Sequence, residues 1–152
     1  MSEKFILTWE DVNNIVIDLC FKIAEHKHQK IGLIGISRGG LVPAVMMSHV
    51  IKTQYFSTIG ISSYSNKQKK AEKIYQNLDD KNIPDLDAIY VVDDIVDTGS
   101  TFKYLQQHVF KKFPVKTVSL LYKKNNVFKP DYFGYEVDKE KWVDFPWELD
   151  YN

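Results

Sequence analysis

Val91-Val-Asp-Asp-Ile-Val-Asp-Thr-Gly-Ser-Thr101 is the stretch from which the fold can be argued. With Ala88-Ile89-Tyr90 in front of it, the apolar start predicts a short buried strand. The run ends in two adjacent carboxylates, Asp93 and Asp94, and a third, Asp97, follows three residues later. Thr98, Gly99, Ser100 and Thr101 come next, small or hydroxylated, at the point where a helical pattern begins. A loop of that composition at a helix N-terminus offers unpaired backbone N–H groups, hydroxyl donors and the positive end of a dipole, which is what a phosphate needs. Carboxylates on the same loop suit sugar hydroxyls, a magnesium ion or a proton to be removed. Phosphate donors and acids together point to a phosphorylated sugar.

Upstream, Ile31-Gly-Leu-Ile-Gly-Ile36 is short and apolar on both faces, as expected of a strand in a parallel sheet covered on both sides. Ser37-Arg38-Gly39-Gly40 follows at once, and Leu41 to Val50 predicts a helix with Pro43 in its first turn. Before that strand, Thr8 is a candidate N-cap for an amphipathic helix in which Trp9, Val12, Val16, Leu19 and Ile23 recur at helical spacing, to about His26. Tyr55 to Ile61 alternates as a further strand. Ser62 to Lys73 is polar and lysine-rich without a clean period, and predicts a long mobile loop, with a strand resuming around Ile74-Tyr75. Downstream, Phe102, Leu105, Val109 and Phe113 predict a helix to about Lys112, stopped by Pro114, and Val115 to Tyr122 a strand. From Lys123 onward the pattern is irregular. Helices and strands alternating from Trp9 to Tyr122 mark an α/β fold, an open, mainly parallel twisted sheet flanked by helices. Ligands of such sheets sit beyond the carboxyl ends of the strands, where both special loops lie. Two anion-friendly loops on one sheet edge suit a ligand with more than one phosphate group.

Composition narrows the classes. A length of 152 residues fits one domain with a real core. Lys plus Arg equals Asp plus Glu at 20 each, so the basic excess of a general nucleic-acid or membrane-surface binder is missing. The lone Cys20 excludes an internal disulfide and suits a reducing compartment. Ile31 to Ile51 is interrupted by Arg38, Gly39, Gly40 and Pro43 and is no transmembrane span, and the apolar run at Phe5-Ile-Leu7 is too short for a signal peptide. The expectation is a cytoplasmic protein. His26 and His28 are two apart, which on a helix gives them different faces and makes a poor metal pair.

An apolar strand, two acids, two apolar residues and then Asp-Thr-Gly-Ser-Thr resembles the phosphoribosyl pyrophosphate motif of the type I phosphoribosyltransferases. Within that family the chain is most similar to the bacterial xanthine-guanine phosphoribosyltransferases. The likeness extends to Met1-Ser-Glu-Lys4, Thr8-Trp9, Ser37-Arg-Gly-Gly-Leu-Val-Pro43, Ile61-Ser-Ser-Tyr64 and Trp142-Val-Asp-Phe-Pro-Trp147, in order and at matching spacings. The resemblance implies a single domain over residues 1–152. Its core spans about 9–122, and a small hood, about 123–152 with the N-terminal segment, lies over the base site. It implies transfer of the 5-phosphoribosyl group from phosphoribosyl pyrophosphate to a 6-oxopurine, with Mg2+ as the cofactor, in a homodimer or homotetramer. Some relatives associate peripherally with the inner membrane; no basic or lipid-binding helix is evident in this sequence.

Residue by residue, the resemblance assigns Asp97, Thr98, Gly99, Ser100 and Thr101 to the 5′-phosphate, and Asp93 and Asp94 to the ribose hydroxyls and the magnesium-bound substrate. Asp97 is also the family's proposed general base near purine N7. Ser37, Arg38, Gly39 and Gly40 match the pyrophosphate loop, in which a cis peptide precedes the arginine in some members. Ser63 and Tyr64 match the start of the flexible loop that closes over the reacting centre. Lys69 and Lys70 stand where relatives carry an arginine, and Lys70 is carried over to the pyrophosphate. Lys123 matches the lysine on the purine 6-oxo group, Trp142 the ring that stacks on the base, and Val143 the residue whose backbone faces the purine 2-position. Bland readings stand beside these: a helix cap and turn at 97–101, a solvated strand end for Asp93 and Asp94, a strand-to-helix turn at 37–40, a solvated loop for Lys69 and Lys70, ordinary packing for Trp142. Two other functions compete, a non-catalytic sensor of phosphoribosyl pyrophosphate or nucleotides on the same fold, and a phosphoribosyltransferase for another base.

Overall fold

A computed structural model describes residues 3–66, 69–124 and 127–150. The chain runs β1 (Lys4–Ile6), α1 (Trp9–Ala24), β2 (Ile31–Ser37), α2 (Leu41–Ile51), β3 (Tyr55–Asn66), β4 (Lys69–Gln76), a 3-10 turn (Asp80–Asn82), β5 (Ala88–Val96), α3 (Ser100–His108), β6 (Lys116–Lys123), β7 (Tyr132–Val137) and β8 (Trp142–Asp144). Six strands form one sheet in the order β4-β3-β2-β5-β6-β7. All pair in parallel except β4, which is antiparallel to β3. A separate parallel pair joins β1 to β8.

Strand alternation divides the core between the two faces of the sheet. Leu33, Tyr90, Val92, Val118 and Leu120 face α1 and α2, meeting Val12, Ile15, Leu19, Ile23, Ala44 and Met47. Ile34, Ile36, Ile59, Ile89 and Val91 face the other way, onto Phe102 and Leu105 of α3. That double burial is why β2 and β5 carry apolar residues at consecutive positions. Helix α1 starts at a capping box: Asp11 N–H donates to Thr8 Oγ1 and Thr8 N–H donates to Asp11 Oδ2. Asp87 prepares the entry to β2 by accepting the N–H groups of Gln29 and Lys30, both at 2.9 Å.

The fold agrees with the sequence expectation in its central strands and helices and departs from it in four places. Of the expected loop, residues 62–66 and 69–73 are the arms of a β3–β4 hairpin, paired from Ile61↔Ile74 out to Asn66↔Lys69, and residues 67–68 lie outside the described residues. Strand β5 continues through Asp93 and Asp94 to Val96, because β6 goes on pairing with it (Asp93↔Ser119, Ile95↔Leu121) after β2 has turned away. Helix α3 ends at His108, well short of Lys112. The segment after Lys123 contains β7, which adds an edge strand beside β6, and β8. His26 lies beyond the end of α1; its Nε2 is 2.6 Å from the Tyr132 hydroxyl. No helix among the described residues is long and apolar enough to cross a membrane.

Candidate active site

Strands β2 and β5 are neighbours, yet the chain leaves β2 toward β3 on one side and returns to β5 on the other. This is the point in an open parallel sheet where a crevice opens beyond the strand ends. Ser37–Gly40 leaves β2 there and Asp97–Ser100 leaves β5 there, so two loops far apart in sequence are adjacent in space.

Their contact depends on two glycines. A β-carbon at Gly40 would fall 2.5 Å from the Val92 carbonyl oxygen, 2.7 Å from that of Ile36 and 2.9 Å from Asp93 Cα. A β-carbon at Gly39 would fall 1.9 Å from Asp94 Oδ2. The first loop therefore lies directly against the acidic pair. The Ser37–Arg38 peptide is cis, as it is in some members of the family resembled, and Arg38 is exposed.

Asp93 and Asp94 are adjacent, partly buried acids. Asp94 N–H donates to Asp93 Oδ1 at 2.9 Å, and Ile95 N–H donates to Asp94 Oδ1 at 2.8 Å. Neither acid takes part in an ion pair among the described residues. Burial, and then the charge of Asp94, pushes the Asp93 carboxyl well above its ordinary range. Burial also raises Asp94, with a smaller push from the charge of Glu148. A cation here would relieve both. Among the described residues no group of three or more His, Cys, Asp or Glu side chains could hold a metal. The pair fits an ion that completes its shell with substrate oxygens and water, which is how magnesium is commonly held.

A cavity of about 490 Å³ opens beside the pair, lined by Ser63, Glu72, Asp93, Ile95, Val96, Asp97, Thr98, Gly99, Ser100, Thr101 and Phe102. Gly99 caps α3 with a φ of 84°, in the left-handed region, and Phe128 occupies the place where a β-carbon would go, 2.2 Å from its Cβ. Phe128 in turn stacks on Phe102 at 5.4 Å. Lys123, at the end of β6, reaches toward Asp97: Nζ is 3.9 Å from Oδ2, with the lysine side chain only 14% exposed and the aspartate 60%.

Compared with known protein families, residues 4–152 match the phosphoribosyl transferase domain. The chain belongs to the phosphoribosyltransferase family. A xanthine-guanine phosphoribosyltransferase of Idiomarina loihiensis is 28% identical over 148 residues, 97% of this chain and 89% of that protein. Among solved structures, a purine phosphoribosyltransferase of Pyrococcus horikoshii is 31% identical, covering 97% of this chain and 95% of the other with a TM-score of 0.82. A xanthine-guanine-hypoxanthine phosphoribosyltransferase of Helicobacter pylori is 25% identical, with the same coverage and TM-score.

For a phosphoribosyltransferase, the residues named from sequence are distributed as follows. Ser63, Asp93, Asp97, Thr98, Gly99, Ser100 and Thr101 share the cavity wall, Asp94, Gly39 and Gly40 adjoin it, and Lys123 approaches through Asp97. Trp142 and Val143 are not in that wall. They lie on β8, Trp142 61% exposed with its Nε1 donating to Asp144 Oδ1 at 2.7 Å, and Val143 packed against the core. Tyr64 and Lys70 belong to the hairpin backbone, but their side chains lie outside the described part of the structure. Two residues that sequence reasoning passed over belong near this site. Glu72 lines the cavity, and the Tyr75 hydroxyl donates to Ser37 Oγ at 3.1 Å. Both were hidden in and beside a stretch whose polar composition resembled a solvated loop.

Proposed function

We propose that this phosphoribosyltransferase moves the 5-phosphoribosyl group of phosphoribosyl pyrophosphate to a 6-oxopurine (guanine, xanthine or hypoxanthine), giving the nucleoside monophosphate and pyrophosphate. The observation that carries the choice of base is the Lys123–Asp97 pair, a donor and an acid 3.9 Å apart beside the phosphate loop. A 6-oxopurine presents its O6 and N7 side by side, and a lysine can only donate, so Lys123 suits O6. The Asp97 carboxylate suits the proton on N7, which must leave as the base attacks through N9. Adenine would set its amino group against the lysine, donor against donor, and be refused.

In this reading Thr98, Gly99, Ser100 and Thr101 hold the 5′-phosphate through hydroxyls and backbone N–H groups at the start of α3. Ser37, Arg38, Gly39 and Gly40 take the pyrophosphate, whose negative charge grows as the bond to the anomeric carbon breaks. Lys70 is a further candidate for that contact. Asp93 and Asp94 hold the ribose hydroxyls and a Mg2+ that arrives with the substrate. That ion would neutralise the leaving pyrophosphate. Residues 123–152, with the N-terminal segment paired to them through β1 and β8, form the hood over the base, where Trp142 stacks and the Val143 backbone faces the 2-position. Ser63 and Tyr64 begin the segment that closes over the reacting centre and keeps water from the activated sugar. A cytoplasmic dimer or tetramer completes the reading.

The test is direct. The protein is mixed with phosphoribosyl pyrophosphate, Mg2+ and each base in turn, and nucleotide is measured by chromatography. Product with guanine, xanthine or hypoxanthine and none with adenine is expected; no nucleotide with any oxopurine would sink the proposal.

A further inference from the structure

The β3–β4 hairpin carries an acid into the anion loop. Glu72 pairs across the hairpin with Ser63, and its carboxylate accepts from Ser63 Oγ at 3.2 and 3.3 Å and from Ser100 Oγ at 2.9 Å. Ser100 Oγ also accepts from Thr98 Oγ1 at 3.1 Å, and Ser100 N–H donates to Thr98 Oγ1 at 3.3 Å. Hydroxyls that would hold a sugar phosphate are thus already linked to a carboxylate of the chain's own. Strand alternation places Glu72, and a register shift opposite Gly60 and Ile61 leaves Tyr75 unmatched in the ladder. Ile74, of the same parity as Glu72, packs with the core on the α3 face. Tyr75 faces the opposite way, over Gly60, where a β-carbon would fall 2.3 Å from the ring, and its hydroxyl meets Ser37. One short strand therefore straps both anion loops, one from each of its faces.

A carboxylate and a phosphate seek the same donors and repel each other. We propose that Glu72 is an internal competitor for the 5′-phosphate loop: it holds the β4 strap on Ser100 when no donor is bound, and the incoming phosphate expels it. This rests on residues 97–101 being the phosphate site. Glu72 then sets the affinity for the sugar donor and couples donor binding to release of the strap, without taking part in bond making.

Glu72→Gln keeps the size of the side chain and its ability to accept from the hydroxyls but removes the charge; Glu72→Ala removes both. Ribose 5-phosphate is the probe, titrated calorimetrically into wild type, both variants and Thr98→Ala. Both Glu72 variants are expected to bind it about tenfold tighter, the scale of losing a charge-assisted hydrogen bond that stabilises only the closed state. KM for phosphoribosyl pyrophosphate should fall in parallel. Amide exchange along residues 71–76 should quicken in wild type on adding ribose 5-phosphate, and should already be quick in Glu72→Ala without it. If ribose 5-phosphate binds wild type and is weakened by Thr98→Ala, but the Glu72 variants bind no tighter, the competitor idea fails and the phosphate reading stands. If wild type and every variant ignore the probe, the phosphate reading fails and takes the competitor idea with it.

Discussion

Replacing Gly40 by alanine tests the idea that the two anion loops are positioned by direct backbone contact. The added carbon would fall 2.5, 2.7 and 2.9 Å from two carbonyl oxygens and a Cα, all main-chain atoms of β2 and β5. None of them can swing aside, and both strands are clamped by neighbours on either side. Gly40 has a φ of −68°, so alanine meets no dihedral penalty there and the cost is one of space alone. Overpacking of this kind costs about 1–3 kcal/mol, and the upper end applies where only backbone can move. Against it stands a gain of about 0.4–1 kcal/mol, because alanine restricts the unfolded chain more than glycine does. A net loss of about 2 kcal/mol lowers the melting temperature of a domain this long by about 6 °C. Gly39→Ala is the control. The three atoms nearest its new carbon all belong to the Asp94 carboxylate, a side chain that can shift at the cost of its 2.8 Å bond from Ile95 N–H. Stability should then change little while turnover collapses, since the displaced acid is one of the pair assigned to ribose and magnesium. The assay is thermal unfolding of both variants without ligand, with turnover measured alongside. A Gly40→Ala protein melting within about 2 °C of wild type would refute the contact argument.

Other consequences follow from the site's electrostatics and packing. Asp93 has a raised carboxyl pKa, so between its unfolded and folded values the native state holds the extra proton and stability falls as pH rises. Asp93→Asn removes that fall: metal-free protein should melt higher than wild type at pH 8, with the difference shrinking toward pH 4, while turnover is lost. A lower melting temperature at pH 8 would count against it. Lys123→Ala should cut kcat/KM for guanine or hypoxanthine about 10–100-fold, the scale of one charged hydrogen bond, with little change in donor KM; equal losses in both would mean that the lysine does not read the base. Cys20 is 3% exposed and burial pushes its thiol up to about 11. Ellman's reagent at pH 8 should therefore leave it nearly unreacted until guanidinium unfolds the protein, and rapid labelling of the native state would contradict its burial.

The legible parts of the sequence share a physical cause. Strands β2 and β5 are buried on both faces, so consecutive apolar residues announced them, and the loops after them announced themselves by glycines, hydroxyls and acids. The hairpin was hidden for the opposite reason. Glu72 and Lys73 present polar side chains on both faces of β4, so no hydrophobic period marks a ribbon held by backbone pairing. Strand β7 is a sheet edge whose Tyr135 and Glu136 are exposed, and β1 and β8 span three residues each, too few for any period. Strand β5 outran its apolar segment because β6 supplied partners for Asp93 and Ile95. In the site, residue type marked the two loops proposed to take anions, whereas Glu72 and Tyr75 depend on which strand folds back against which loop.

The placement of β2 beside β5 also bears on how the protein comes into being. Ile31 pairs with Ala88 and Gly35 with Val92, so the crevice closes only when segments more than fifty residues apart have met. Everything between them, the β3–β4 hairpin included, is a loop to be closed first, and such long-range pairing is slow. Each half of the chain carries only one of the two loops. Binding competence is therefore a report on the finished topology: a refolding chain should gain ligand affinity with its last kinetic phase, after its helices have formed.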